Sequence, residues 1–494
     1  MNVPANATGV KLTLTPRAGD HYTPTVKPNL LLVALVMALA PSLGSSQALQ
    51  GRNHPEQLAL VRQAVLAGHL PPFDTWPQPG VPNPGTEGTT GASDVEFTLA
   101  GAARVNVPNF WDQYLFEPGD RNALARWTVH GEEKGHWGLL LHADYYDSTP
   151  GWHATSLIVP NAESSFPLEG HFLTRGWLWY DFHPLQIEIG RDQVHWGPLD
   201  NSLLISDAVP FLDMIRGTIS GGPWVLDFIL STPETRTTGG GTDLQDFQLI
   251  NLHRLEYRTD TIAWAFSERY IVHRAGGPFV LGDVFPVMVN HQADLNPNNN
   301  SLNFDGEWVP APGYRVMGQL AFDDIDARAL GWVDNPVPTI WAFLLGTEWQ
   351  GDWGGALRLY AEVGMTHYLW GNFGDASARA LYLLVLDKRT ESMPLSAPYG
   401  PGTAWVNLSA RWSQGPLSIS AKLEVFDTKE GVTPDLSYVY HSDLDGLGSS
   451  LDERLALEAR WQFDPAWGLT FEPTQTYHQG AVGLEARAAL DWKP

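Results

Sequence analysis

Residues 404–412 read AWVNLSARW, and apolar and polar residues alternate along them without a break. Ala404, Val406, Leu408, Ala410 and Trp412 fall on one face, and Trp405, Asn407, Ser409 and Arg411 on the other. The same period of two runs through VEFTLAGAARVNV from Val95, LSISAKLEV from Leu417 and VGLEARAALDW from Val482. A period of two is the signature of a strand, whose successive side chains point to opposite sides. Strands of soluble sheets are commonly about 5–6 residues long. These runs are about twice that, the length of about 9–11 residues that a tilted strand needs to cross a bilayer. Their apolar face mixes Ala and Gly with Val and Leu, as a face turned to lipid can. The expected fold is all-β, a transmembrane antiparallel barrel of about 18 strands. A soluble β-sandwich or propeller is the alternative.

The connections divide into two kinds. RWSQGPL, QFDPAWG, EWQGDWG, YDFHPLQ and YRTDTIA are tight, whereas 194–213, 274–313, 366–380 and 428–451 are long. Short periplasmic turns and long extracellular loops are the rule for such barrels. Trp412, Trp461, Trp467, Trp349, Trp353, Trp179 and Tyr257 crowd the tight turns. Aromatic rings gather where apolar membrane meets water.

The start of the chain carries an export pattern. Lys11, Arg17 and Lys27 precede the apolar run LLLVALVMALA (Leu30–Ala40), followed by PSLGSSQA. The run stops at Pro41, short of the ~20 apolar residues of a spanning helix, so residues 1–48 read as a signal peptide. Residues 49–93 form a periplasmic segment in this reading: a short helix over 54–68, capped by Asn53 and ended by Gly68, then a tether rich in Pro and Gly. Residues 94–494 are the barrel. With a net charge of −25 the chain lacks the clustered Lys and Arg of a nucleic-acid groove. Without cysteine it has no disulfide, thiolate metal site or cysteine nucleophile.

Charges of both signs alternate on the polar faces. Glu458 and Arg460, Lys422 and Glu424, Glu485 and Arg487, and Arg358 and Glu362 sit two or four residues apart. Such spacing builds ladders across neighbouring strands. Two readings follow: a lumen stabilised by ion pairs, or a path for sugars.

One connection breaks the rule that loops are polar. After Gly190-Arg191-Asp192 the chain runs through His195, Trp196-Gly197-Pro198, Ser202-Leu203-Leu204-Ile205-Ser206 and Ala208-Val209-Pro210-Phe211. These residues resemble the characteristic motif of Wzi-type capsule assembly proteins. A weaker likeness follows in NNNSLNFDGEW (Asn298–Trp308) and GQLAFDDID (Gly318–Asp326). The resemblance spans roughly 95–492, and the helix at 54–68 is similar to that family's periplasmic element. It implies an 18-stranded outer-membrane barrel with an obstructed lumen, no catalytic centre and lectin-like binding of capsular polysaccharide. A greasy segment leaving a strand would then fold inward as a plug. The chain ends Trp492-Lys493-Pro494. Its last aromatic therefore stands two residues before the terminus, where barrel proteins often present one to the insertion machinery.

Sugar binding needs aromatic faces and planar polar groups. The 274–313 stretch offers Asp294, Asn298, Asn300 and Trp308, and the inward motif offers Arg191, Asp192, His195 and Trp196. Arg191 also suits a structural role, since a guanidinium forms bidentate bonds that could fix the loop. Asp294, Asn296, Asn298 and Asn300, with Asp305, approach the spacing of a calcium loop. Asn299 stands where the turn glycine belongs and Asp305 where a Glu is usual, so no metal is expected. Sequence motifs of hydrolases, metalloproteases and nucleotide-binding loops are missing, and no cofactor is expected. The expected partners are surface polysaccharide, outer-membrane lipid and the insertion machinery. A channel for saccharides or other small solutes is the second reading.

Overall fold

The structure is a computed structural model. It describes residues 62–70, 89–105, 125–133, 137–147, 168–170, 175–182, 185–192, 194–206, 209, 211–232, 247–274, 281–284, 298–325, 339–371, 380–386, 389–397, 399–429 and 448–492. The expected signal peptide and Asp294 lie outside these residues.

Alternation is realised as a single closed sheet. Its first half holds β1 (Thr89–Val105), β2 (Ala125–Glu133), β3 (Trp137–Asp147), β4 (Leu168–Gly170), β5 (Arg175–Asp181), β6 (Leu185–Asp192), β7 (Leu212–Gly221), β8 (Trp224–Ser231), β9 (Phe247–Arg258) and β10 (Ile262–Arg274). The second half holds β11 (Asn298–Ala311), β12 (Tyr314–Asp324), β13 (Ile340–Asp352), β14 (Ala356–Thr366), β17 (Thr403–Gln414), β18 (Leu417–Lys429), β19 (Ser449–Asp464), β20 (Trp467–His478) and β21 (Ala481–Trp492). The hairpin β15 (Leu381–Leu386) and β16 (Arg389–Pro394) stands apart as a sheet of two, and β14 pairs directly with β17. Strands that neighbour one another in the ring pair antiparallel, and β21 pairs with β1 to close it. The large sheet has 19 strands among the described residues. Three-residue β4 and β5 share the same edge of β3, so they fill one position of an 18-position ring.

Faces follow the alternation. Leu178, Ile189, Ile215, Phe304, Leu345 and Leu484 point outward and are about half exposed, as a lipid-facing band requires. At the short-turn end Trp224, Tyr257 and Trp264 cluster with ring centroids 4.8–5.8 Å apart. Trp467 stacks on Trp492 at 5.8 Å, and Trp353 is 76% exposed. Trp179 is a correction to the expected girdle: it faces inward, 8% exposed, in a cluster with Leu140 and Trp177. It belongs to the odd-numbered, lumen-facing set of β5, while Leu178 and Tyr180 take the outside.

Three boundaries differ from the sequence reading. β1 begins at Thr89, inside the expected tether. Residues 62–66 are helical, while 54–61 of the expected helix lie outside the described residues. The 274–313 connection is shorter than expected, because Asn298–Ala311 is strand β11 with a tight turn after it. Its inward residues Ser301, Asn303, Asp305 and Glu307 are all polar, so the composition resembles a loop and only Leu302, Phe304 and Trp308 mark the outside.

The short helix docks at the short-turn end. Gly313 donates its amide to Val65 O at 2.7 Å, and Leu70 donates to Asp260 O at 2.6 Å. Leu70 then packs against Ala263 and Val309.

Candidate functional site: a plug across the lumen

The segment 194–206 leaves the wall after β6 and fills the lumen. Trp196, Leu199, Leu203, Leu204 and Ile205 are completely buried. They form two apolar clusters. Leu199 and Leu203 pack with Leu344, Tyr360, Trp405 and Phe426 on one side. Trp196, Leu204 and Ile205 pack with Ile229, Ile250, Leu252 and Ile271 on the other. Burying a large aliphatic or aromatic side chain stabilises by about 1.5–3 kcal/mol. An apolar sequence in this connection is therefore what holds it inside.

Glycine decides where the segment can fit. Gly197 has φ +122°, and a Cβ there would stand 1.5 Å from Gln319 Nε2. A Cβ on Gly346 would meet Leu199 Cδ2 at 2.3 Å, so the bare wall at Gly346 is the socket for Leu199.

Polar groups pin the plug to strands around the ring. On β8, Asp227 accepts from Trp196 Nε1 at 3.2 Å. On β12, Gln319 donates to Trp196 O at 3.2 Å and accepts from the Leu203 amide at 2.9 Å. On β14 the Asp200 amide donates to the Tyr360 hydroxyl at 2.7 Å. Glu362 gathers four donors: the Asn201 amide at 3.1 Å, Asn201 Nδ2 at 2.7 Å, the Tyr360 hydroxyl at 2.6 Å and Trp405 Nε1 at 2.9 Å. Four donors converge on this one carboxylate, which makes it the hub of the contact. The neighbouring Asp200 carboxyl has no such set of partners. Its Oδ1 is enclosed and has no hydrogen-bond partner, and burial, then the nearby Glu362, pushes its pKa well above the usual carboxylate range.

A second inserted stretch meets the first. Ser206 donates its amide to Leu395 O at 2.8 Å and its hydroxyl to Ser396 O at 2.7 Å. Arg269 of β10, fully buried, donates to Leu204 O at 2.8 Å and Ser301 Oγ at 2.7 Å, with its guanidinium 5.9 Å from the Trp370 ring.

Below the plug an ion-pair ladder crosses the inner wall. Arg254 bridges Glu256 and Asp305, Arg258 bridges Glu256 and Glu307, and Arg315 bridges Glu307 and Glu348 at 2.8 and 2.9 Å. Arg358 continues it across to Glu348 at 3.2 Å, while Glu362 on the same strand is taken by the plug. Lys422–Glu424, at 2.9 Å, and Arg487–Glu485 pair along their own strands. Glu458 and Arg460 find partners across strands, Arg411 and Asp491, as a ladder requires.

The residues singled out in sequence do not converge on one site. Arg191 sits opposite Asp213 in the β6–β7 register and binds it bidentately at 2.6 and 2.7 Å, with the guanidinium 3.9 Å from the Phe211 ring centroid. It thereby ties the two ends of the inward excursion. Asp192 is 4% exposed. His195 Nε2 lies 2.9 Å from Leu199 O, and Trp196 is the core of the plug. Asn298 and Asn300 are at the long-loop end of β11, where Asn300 Nδ2 donates to Glu268 Oε1 at 2.7 Å. Trp308 is at the other end of β11, about half exposed on the outer face with Ile262 and Trp264. Asn300 and Asp305 lie on opposite faces of that strand, so the calcium-loop spacing cannot close around one ion. Among the described residues no group of three or more His, Asp or Glu is arranged to hold a metal. Sequence reasoning missed Gln319, Tyr360, Arg269 and Arg315. Their signal was faint: each is a polar residue on a strand's inward face, indistinguishable there from a solvated one.

Comparison with solved structures places this architecture. No protein-family model matches the chain, and no curated protein matches it. The structure described as Wzi, an outer-membrane protein involved in group 1 capsule assembly in Escherichia coli and a carbohydrate-binding β-barrel, superposes with TM-score 0.53 at 14% identity, over 81% of this chain and 83% of that one. OccK9 (OpdG) of Pseudomonas aeruginosa gives TM-score 0.47 at 11% identity, over 82% of this chain and 98% of that one. OccK5 (OpdH) of the same organism gives 0.41 at 11%, with the same coverage. The fold is that of an outer-membrane β-barrel, and the likeness at these identities is one of fold.

Proposed function

We propose that the protein resides in the outer membrane and holds capsular-type polysaccharide at the cell surface without conducting it. The observation that carries this reading is the plug. A segment bonded to β8, β12 and β14 and packed on both sides suits a barrel that displays a surface more than one that passes solutes. The likeness to a carbohydrate-binding barrel supports the ligand class. In this reading Arg191, Asp192, His195 and Trp196 position the plug, and Asn298 and Asn300, with Asp294, remain the candidates for contact with sugar hydroxyls. Trp308 serves the membrane boundary. The reading includes no catalysis, cofactor or metal. The mature barrel is expected to insert through the general insertion machinery, with the export segment 1–48 removed and the segment that precedes β1 on the periplasmic side.

The test is the partition of surface polysaccharide in a strain lacking the gene. Continued synthesis with release into the medium is the expected result. Unchanged attachment would overturn the anchoring role. Current through the purified barrel in planar bilayers would move the channel reading ahead. Release of the mature chain in soluble form by osmotic shock would remove the membrane reading altogether.

A further inference from the structure

We infer that the lumen keeps a water-filled vestibule along the arc β17–β21, entered from the short-turn end, which takes small hydrophilic molecules of either charge. Four inward charges of this arc, toward the short turns, are unlike those beneath the plug. Arg411 and Glu458 have 34% and 35% of their side chains exposed, and Arg460 and Asp491 have 43% and 21%. Their pairs are long, 3.9 and 3.7 Å. The Arg315 pairs on β11–β13 are 2.8 and 2.9 Å, with side chains at most 6% exposed. All four exposed groups lie on inward faces, opposite the lipid-facing Ile419, Trp461 and Leu469, so the surface that reaches them is inside the barrel.

Shape agrees with charge. The inward neighbours Ser413, Ser418, Ser420 and Thr470 are small and hydroxylated, and they are partly exposed. They leave open the volume that Leu199, Leu203 and Trp405 fill elsewhere. Higher on the same strands the lumen shuts again: Glu424, Asp452 and Thr476 are 2%, 0% and 3% exposed. The vestibule is thus blind toward the long-loop end. Exposed pairs at this separation are weakly held and exchange readily with water or solute. Arginines and carboxylates share the space, so neither sign of solute is excluded.

The absence of cysteine makes the test direct. Ser418→Cys lies in the vestibule, and Ser267→Cys lies in the packed arc, where Ser267 is completely buried. Each is reconstituted in lipid nanodiscs and treated with a cationic and an anionic methanethiosulfonate reagent. Both reagents are expected to modify Ser418→Cys more than about tenfold faster than Ser267→Cys, because thiol reactivity follows access. Equal, slow rates at the two positions would overturn the vestibule, and entry of one reagent alone would overturn its indifference to charge. Thr470→Cys repeats the test from another strand if Ser418→Cys does not fold. None of these outcomes depends on whether the protein binds polysaccharide.

Discussion

Two arcs of the same ring treat the same chemistry differently. From β9 to β14 the inward Arg, Glu and Asp side chains are shut away between the wall, the plug and the docked helix. From β17 to β21, toward the short turns, similar residues at similar spacing face water. The strands look alike in sequence, since both arcs alternate charge on one face and aliphatics on the other. What differs is what covers them. A buried ion pair is held by its surroundings and punishes the loss of one partner, whereas an exposed pair is nearly neutral in energy. The same motif is therefore structural in one arc and expendable in the other.

Substitutions can break this comparison, and the largest effect is expected in the packed arc. Arg315→Ala leaves Glu307 and Glu348 buried beside an empty space, and should destabilise the folded barrel by about 3–5 kcal/mol in urea unfolding from lipid vesicles. Glu362→Ala removes the acceptor of four hydrogen bonds. It should cost about 3 kcal/mol and raise single-channel conductance in planar bilayers above that of the wild type. A fully stable Glu362→Ala of unchanged conductance would mean that packing alone holds the plug. Gly197→Ala combines an unfavourable φ with a collision at Gln319, and a loss of about 1–3 kcal/mol is expected.

The smaller effects sharpen the picture. Asp200→Asn should stabilise. The folded state raises the pKa of Asp200 above its unfolded value, so the wild type binds its proton more tightly when folded. Stability then falls as pH rises through the interval above the ordinary carboxylate value of 3.8. The Asn variant lacks that loss, so its advantage should be visible in melting at neutral pH and vanish below that value. Arg460→Gln, in the hydrated arc, should change stability by no more than about 1 kcal/mol. An Arg460→Gln penalty as large as that of Arg315→Ala would erase the distinction between the arcs.

Much of the barrel was legible in residues alone. Alternation in 404–412, 417–425 and 482–492 named the faces correctly, because lipid and lumen impose opposite demands on successive side chains. The apolar run from Leu203 to Ile205 announced a buried connection, since such residues cannot remain in water at low cost. β11 was harder. With Ser301, Asn303, Asp305 and Glu307 all polar on the inward face and Asn299 and Asn300 at its start, composition resembled a loop, and the register with β10 and β12 was needed to show a strand. Trp179 was misread for a related reason: closeness to a tight turn does not say which side of the wall a ring occupies.

Local sequence determined the strands, their two faces, the tight turns and the need to bury 194–206, because each rests on near neighbours and on solvent preference. The tertiary structure alone decided that Glu362 receives Asn201 and Trp405, that Gly346 admits Leu199, and that Arg358 turns to Glu348. These partners are joined only when strands far apart in the chain close into a ring around the same interior. No spacing along one strand specifies which side chain will arrive from across the lumen.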